Sequence, residues 1–139
     1  MSLRPFHLAL PVDDLAKAEA FYGGIMGCPQ GRRSDEWFDF DFFGHQLVTH
    51  LAPEECGSAV TNKVDGKDVP VKHFGVVLDE DQWTELADKF RVAGIDFIIE
   101  PGIRFKDEPG EQGTFFLLDP AGNALEFKYF YDISALFAK

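Results

Sequence analysis

One arrangement of apolar and polar positions occurs twice along the chain. Near the N-terminus, Phe6-His7-Leu8-Ala9-Leu10-Pro11-Val12 forms an apolar, strand-like run. Asp13 and Asp14 follow as candidate helix N-caps, because their carboxylates can accept from free backbone N–H groups. Leu15, Ala18, Tyr22 and Ile25 then recur at steps of 3, 4 and 3, which puts them on one helical face, and Gly27 is placed to end the helix. The second half repeats the scheme. His73-Phe74-Gly75-Val76-Val77-Leu78 is again a strand headed by histidine, Asp79 and Asp81 are the candidate caps, and Trp83, Leu86, Phe90 and Ala93 step by 3, 4 and 3 before Gly94.

After each helix the period shifts to two. Residues 37–42 (WFDFDF) alternate strictly, Gly44-His45 reads as a tight turn, and 46–52 (QLVTHLA) runs back as the partner strand. In the second half 96–100 (DFIIE) and 114–118 (TFFLL) read as strands. Asp119-Pro120-Ala121-Gly122-Asn123 is strong turn chemistry, and 124–130 (ALEFKYF) returns. A strand near 29–34 follows mainly by analogy with the second half. Residues 53–71, rich in Gly, Pro, Asp and Lys, read as a linker, and 132–139 as a short tail helix. The expected plan is a single α+β domain over 1–139 made of two βαβββ modules, about 4–52 and 72–131, joined by a linker at about 53–71.

Strand parity suggests where chemistry could sit, because side chains alternate faces. Phe6, Leu8 and Leu10 share one face of the first strand; Phe74, Val76 and Leu78 share one face of its counterpart. If these bulky faces cover the helices, His7 and His73 point to the opposite, smaller-residue face. Leu125, Phe127 and Tyr129 likewise turn Glu126 and Lys128 away from the helices, and Leu47, Thr49 and Leu51 leave Gln46, Val48 and His50 on the other side. If the modules pair about a pseudo-twofold axis, their sheets curve around a shared cavity into which His7, His50, His73 and Glu126 project. Three imidazoles and one carboxylate suit a divalent transition metal (Fe, Mn, Zn, Ni or Co) better than Ca(II). A lone strand histidine is more often a hydrogen-bonded structural residue than a ligand. Here three of the four histidines occupy repeat-related, cavity-facing positions, which favours the ligand reading; His45 falls in a turn and reads as a surface residue.

Length, charge and cysteine usage narrow the function classes. The chain has 139 residues, 45% of them hydrophobic, enough for an ordinary core. With 13 Lys+Arg against 24 Asp+Glu, the net charge of −11 disfavours nucleic acid and anionic membrane surfaces as partners. No apolar run approaches the ~20 residues that span a bilayer, and MSLRPFHLALPVDD reaches Asp13 too early for a signal peptide. Cys28 and Cys56 form no CxxC and are too few for a disulfide scaffold, so a cytoplasmic location is expected. There is no Gly-rich phosphate loop, and Ser34, Ser58 and Ser134 lack nucleophile-elbow context. Cys56 reads as an inert or weakly reactive thiol.

The paired βαβββ layout resembles the vicinal oxygen chelate superfamily, which includes glyoxalase I, extradiol dioxygenases, methylmalonyl-CoA epimerase and the fosfomycin and bleomycin resistance proteins. The resemblance spans about residues 5–130. It rests on His7, on Ala20-Phe21-Tyr22 with Met26-Gly27, on His73, and most specifically on Asp119-Pro120-Ala121-Gly122-Asn123-Ala124-Leu125-Glu126-Phe127. It implies a glyoxalase-like curved sheet or barrel and one divalent metal held by His7, His50, His73 and Glu126. The metal would bind two adjacent oxygens of a small-molecule substrate, and His50 and Glu126 are the candidate proton-transfer residues. Glyoxalase I typically has glutamate where His50 stands, which counts against standard glyoxalase I activity. Two histidines and one glutamate match the facial triad of non-haem iron oxygenases, although extradiol enzymes are usually longer. The resemblance also implies a homodimer. The expectation is therefore a metal-dependent dioxygenase, lyase or isomerase; the alternatives are a metal-free protein that sequesters a drug or antibiotic, and a vestigial site that only stabilises the barrel.

Overall fold

The computed structural model describes residues 3–57, 60–64 and 66–139, so Ser58 of the serine survey lies outside the described residues. Contacts divide the chain into two units. The first holds residues 3–57 together with Asp119–Asn123, and the second holds the described residues of 60–118 and 124–139.

The first unit contains β1 (His7–Val12), α1 (Leu15–Ala18), β2 (Gln30–Arg33), β3 (Trp37–Phe42) and β4 (His45–Leu51). They form one sheet in the order β1-β4-β3-β2, with β1 parallel to β4 and the other pairs antiparallel. The Asp14 carboxylate caps α1 by accepting from the Lys17 N–H at 3.0 Å. The helix then departs from the expected spacing, because Glu19–Ile25 continues as wider π-helical turns in which the Met26 N–H reaches the Phe21 carbonyl at 3.0 Å. A wider turn advances by four or more residues, so Ala18, Tyr22 and Met26 stack inward with Phe21, while Leu15 and Ile25 stay half-buried. Gly27, with φ of 78°, ends the segment as expected. Positive φ at Phe43 (54°) and Gly44 (88°) makes the β3–β4 connection a two-residue hairpin turn whose hand matches the strand twist.

The second unit begins inside the segment expected to be a linker. After a 3₁₀ turn over Pro53–Glu55, β5 (Thr61–Val64) and β6 (Lys67–Pro70) pair antiparallel as a hairpin. Its small and charged residues show no bulky period of two, which is why the pattern reads as loop. Next come β7 (His73–Phe74), β8 (Val77–Leu78), α2 (Glu80–Val92), β9 (Phe97–Arg104), β10 (Gln112–Leu118) and β11 (Ala124–Phe130), and the tail is a 3₁₀ turn over Ile133–Phe137. The sheet order is β7-β11-β10-β9, with β8 also on β11; β7 and β8 run parallel to β11, the same topology as the first unit. The single strand expected over 73–78 is thus split at Gly75-Val76.

A capping box starts α2: the Asp79 carboxylate accepts from the Gln82 N–H at 2.8 Å, and the Gln82 side chain accepts from the Asp79 N–H at 3.1 Å. Trp83, Leu86, Ala87 and Phe90 are buried, whereas Ala93 falls at the C-cap and is exposed. They pack on Phe115, Phe127 and Tyr129, with the Phe115 and Phe127 rings stacked at 5.5 Å. No helix among the described residues is long and apolar enough to cross a membrane.

Candidate metal and substrate site

In the second unit, β11 alternates as the sequence pattern requires. Leu125, Phe127 and Tyr129 are buried in the core, so Glu126 and Lys128 emerge on the other face. Pairing of β11 with β7 places His73 opposite Ala124, beside that face. The result brings two of the expected residues together: His73 Nε2 lies 3.3 Å from Glu126 Oε1, with side-chain exposures of 30% and 10%.

The other imidazole nitrogen fixes what this contact means. His73 Nδ1 lies 2.7 Å from the carbonyl oxygen of Pro70, a group that can only accept, so Nδ1 carries the proton. In the neutral ring Nε2 is then a bare lone pair aimed at a carboxylate oxygen. Two acceptors in that arrangement repel unless a positive charge, a proton or a metal ion, sits between them. The remaining Glu126 oxygen, Oε2, accepts from the Thr114 hydroxyl, and Lys128 Nζ stands 3.8 Å from Oε1. A donor set of imidazole nitrogen and supported carboxylate, each with its outer partner in place, fits a divalent transition metal.

The backbone approach that makes this pair possible is at Gly75. It lies against the Glu126 carbonyl so closely that no Cβ could be accommodated. The β11 pairing accordingly skips residues 126 and 127 between β7 and β8, and the Phe127 carbonyl instead accepts from the Trp83 indole N–H at 3.0 Å.

In the first unit, His7 shows the same device. Its Nδ1 lies 2.8 Å from Gln46 Oε1, which again leaves Nε2 as the lone-pair nitrogen. The Gln46 amide in turn reaches the Asp39 carboxylate at 3.4 Å. His50 is not brought to this position. Register pairs His7 with Gln46 and Pro11 with His50, so at about 3.3 Å per residue the two histidines start roughly 13 Å apart along the sheet. Gln46, which parity puts on the His7 face, was the readable clue to the residue that orients that imidazole. His45 is a tether, accepting from the Phe6 N–H at 2.8 Å. Within neither unit do three or more His, Cys, Asp or Glu side chains converge among the described residues.

The His73–Glu126 pair opens into a cavity of about 250 Å³ within the second unit, with Ile99, Phe116 and the hairpin residue Val69 as apolar walls. Thr114 and Phe116 face it because they share the β10 parity that opposes Phe115 and Leu117, both buried in the core.

Comparison with known proteins agrees with this site-bearing fold. The family model for the glyoxalase/bleomycin resistance protein/dioxygenase superfamily matches residues 4–127. A solved glyoxalase/bleomycin resistance protein/dioxygenase from Alicyclobacillus acidocaldarius is 35% identical, covers 96% of both chains and superposes with a TM-score of 0.80. A lactoylglutathione lyase from Agrobacterium tumefaciens is 22% identical over 96% of each chain, with a TM-score of 0.65. A fosfomycin resistance protein from Listeria monocytogenes is 15% identical over 97% of this chain and 98% of its own, with a TM-score of 0.72. The last two show the fold alone. No match is found among curated proteins. The extent of the family match and the 35% identity establish that the chain belongs to the glyoxalase/bleomycin resistance protein/dioxygenase superfamily.

Proposed function

We propose that the chain is a metal-dependent enzyme acting on a small substrate that chelates the metal through neighbouring oxygens, with His73 and Glu126 as protein ligands in the second unit and His7 as a ligand offered by the first. The observation that carries this reading is His73 Nε2 held 3.3 Å from Glu126 Oε1 while Nδ1 is committed to a carbonyl. His7 joins the proposal because Gln46 presents its Nε2 in the same way. His50 stands outside the ligand set, since the β1–β4 register separates it from His7.

A bound divalent ion supplies Lewis-acid stabilisation of negative charge developing on substrate oxygens. The chain's own groups do the rest. Thr114 donates to Oε2 and so fixes the Glu126 carboxylate with Oε1 toward His73, where it would ligate the ion. The apolar walls Ile99 and Phe116 lower the polarity beside the pair, which strengthens the electrostatic contacts made there.

The test is elemental analysis of protein purified without added metal or chelator, with His73→Ala and Glu126→Ala in parallel and thermal unfolding with and without each candidate metal. About one transition metal per chain is expected, lost in both variants, together with a metal-dependent rise in Tm that the variants lack. Iron would direct the search to oxygen-dependent cleavage; nickel, zinc, cobalt or manganese would direct it to isomerase, epimerase or lyase chemistry. A wild-type protein that takes up no metal after reconstitution overturns the proposal and favours the metal-free sequestering protein.

A further inference from the structure

The hairpin of β5 and β6 stands apart from both large sheets. Among the described residues its strands pair only with each other, and the Val71 N–H extends that ladder by donating to the Val60 carbonyl at 2.7 Å. Register sorts its side chains onto two faces. Asn62, Val64, Lys67 and Val69 share one, and Val64, Lys67 and Val69 wall the cavity. Lys63 and Asp68 share the other, joined by an ion pair at 2.7 Å. Thr61–Val64, Lys67 and Asp68 are exposed, Val69 is half-buried, and Pro70 is buried. A two-stranded hairpin with so little buried apolar surface is marginally stable by itself and belongs to the parts of a fold that open at low cost.

One hydrogen bond spans the point where this hairpin joins the site. Pro70 ends β6, Val71 and Lys72 are exposed residues outside any strand, and His73 begins β7. The 2.7 Å bond from His73 Nδ1–H to the Pro70 carbonyl crosses that two-residue bend and fixes the angle at which the hairpin leaves β7. The same ring faces Glu126 through Nε2 at 3.3 Å. A cation on Nε2 draws electron density from the imidazole and makes Nδ1–H a stronger donor, so the bond to Pro70 becomes charge-assisted.

We propose that the β5–β6 hairpin is a strap over the cavity, latched by His73 Nδ1–H on the Pro70 carbonyl, and that an ion taken up at Nε2 tightens the latch and roofs the cavity. The ion-driven half of this device rests on the metal reading proposed above; the latch itself does not. Both effects act on one imidazole, so the closed hairpin raises ion affinity by the same factor by which the ion favours closure. Access of a small molecule to the cavity is therefore freest in the ion-free chain.

Hydrogen exchange of the full chain, followed by mass spectrometry on peptides spanning β5 and β6, tests this with wild type, His73→Leu and His73→Asn, each without metal and with zinc alone added. Asparagine keeps an amide donor near the Nδ1 position and so holds the latch, whereas leucine keeps bulk without a donor. Without metal, hairpin amides should exchange about three- to tenfold faster in His73→Leu than in wild type, with His73→Asn close to wild type and α2 unchanged in all three. Zinc should slow the wild-type hairpin by a further factor of about three or more and leave both variants as they were. Equal exchange in wild type and His73→Leu overturns the latch, as does His73→Asn behaving like His73→Leu or α2 accelerating in step with the hairpin. Zinc binding, measured by chelator competition, with no slowing of the hairpin overturns the ion-driven strap and leaves the metal reading standing. The expected variant pattern with no uptake of any candidate metal overturns the metal reading and leaves the latch standing.

Discussion

Tyr22 donates its phenolic hydrogen to the carboxylate of Asp119 at 2.7 Å, a buried contact across 97 positions of sequence. The same Asp119 closes the turn before β11, since Oδ1 accepts from the Ala121 and Asn123 N–H groups at 2.9 and 2.8 Å and Oδ2 from the Asn123 amide at 2.9 Å. Asn123 also donates to the Pro11 carbonyl at 2.9 Å, so the Asp-Pro-Ala-Gly-Asn run is anchored to both the π-helical segment and β1. The most specific motif in the sequence therefore has a structural half, Asp119–Asn123, and a chemical half, Glu126.

Tyr22→Phe removes the donor and leaves a buried carboxylate oxygen with one partner instead of two. A loss of about 1–3 kcal/mol in urea-unfolding free energy is expected at neutral pH. Burial, and after it the charge and hydrogen bond of Asp119, raise the Tyr22 pKa well above the usual tyrosine value. The folded state thus holds this proton more tightly than the unfolded chain does. The corresponding stability is fully present below about pH 10, the unfolded value, and is lost as pH rises above it. Urea melts between about pH 8 and 11 should show wild-type stability falling faster than that of Tyr22→Phe above about pH 10. Parallel pH curves would refute the assignment.

Much of this arrangement could be read from the chain because it depends on period and parity. Leu125, Phe127 and Tyr129 inward and Glu126 outward follow from alternation, and the Asp79 cap follows from carboxylate chemistry at a helix start. What escaped the pattern were changes of period. The π-helical turns over Glu19–Ile25 shift the buried set from Ile25 to Met26, the β9 bulge exchanges Glu100 for Ile99, and the β7–β8 break follows from a backbone contact at Gly75. The orienting partners of the histidines, Gln46 and the Pro70 carbonyl, depend on register, which alternation alone does not set.

Gly24→Ala should stabilise the protein. Gly24 lies in the π-helical segment, is exposed, and a Cβ there would meet nothing within 4 Å. Removing glycine's extra freedom in the unfolded chain should add about 0.4–1 kcal/mol, read as a rise in the urea midpoint at unchanged slope. A fall would show that the segment needs the glycine backbone.

Gln46 offers a test of orientation separate from ligation. If its carbonyl oxygen holds His7 Nδ1–H, Gln46→Leu frees the ring to rotate while leaving the His7 nitrogens intact. Metal affinity should fall about 10–100-fold with unfolding stability changed by less than about 1 kcal/mol, and Gln46→Glu, which keeps the acceptor, should recover most of it. Unchanged affinity in Gln46→Leu would remove His7 from the proposed ligand set. The His50→Ala variant should keep wild-type affinity, since register places it away from His7.

Gly75→Ala concentrates the argument on one methyl group. The added Cβ would collide with the backbone carbonyl of Glu126, and neither strand can yield freely, because Leu125 pairs with Phe74 on one side of the contact and Lys128 with Val77 on the other. The strain must be relieved by moving β7 from β11, and that movement separates His73 from Glu126. Overpacking of this kind costs about 1–3 kcal/mol of stability, and the proposed site should lose metal affinity by about tenfold or more. Gly102→Ala is the matched control. Its nearest neighbour would be the Glu100 carbonyl at 3.8 Å, an ordinary contact, so it should leave metal affinity unaltered. Equal metal affinity in Gly75→Ala and Gly102→Ala, measured by competition with a chelator, would show that the 3.3 Å approach of His73 to Glu126 does not govern metal binding.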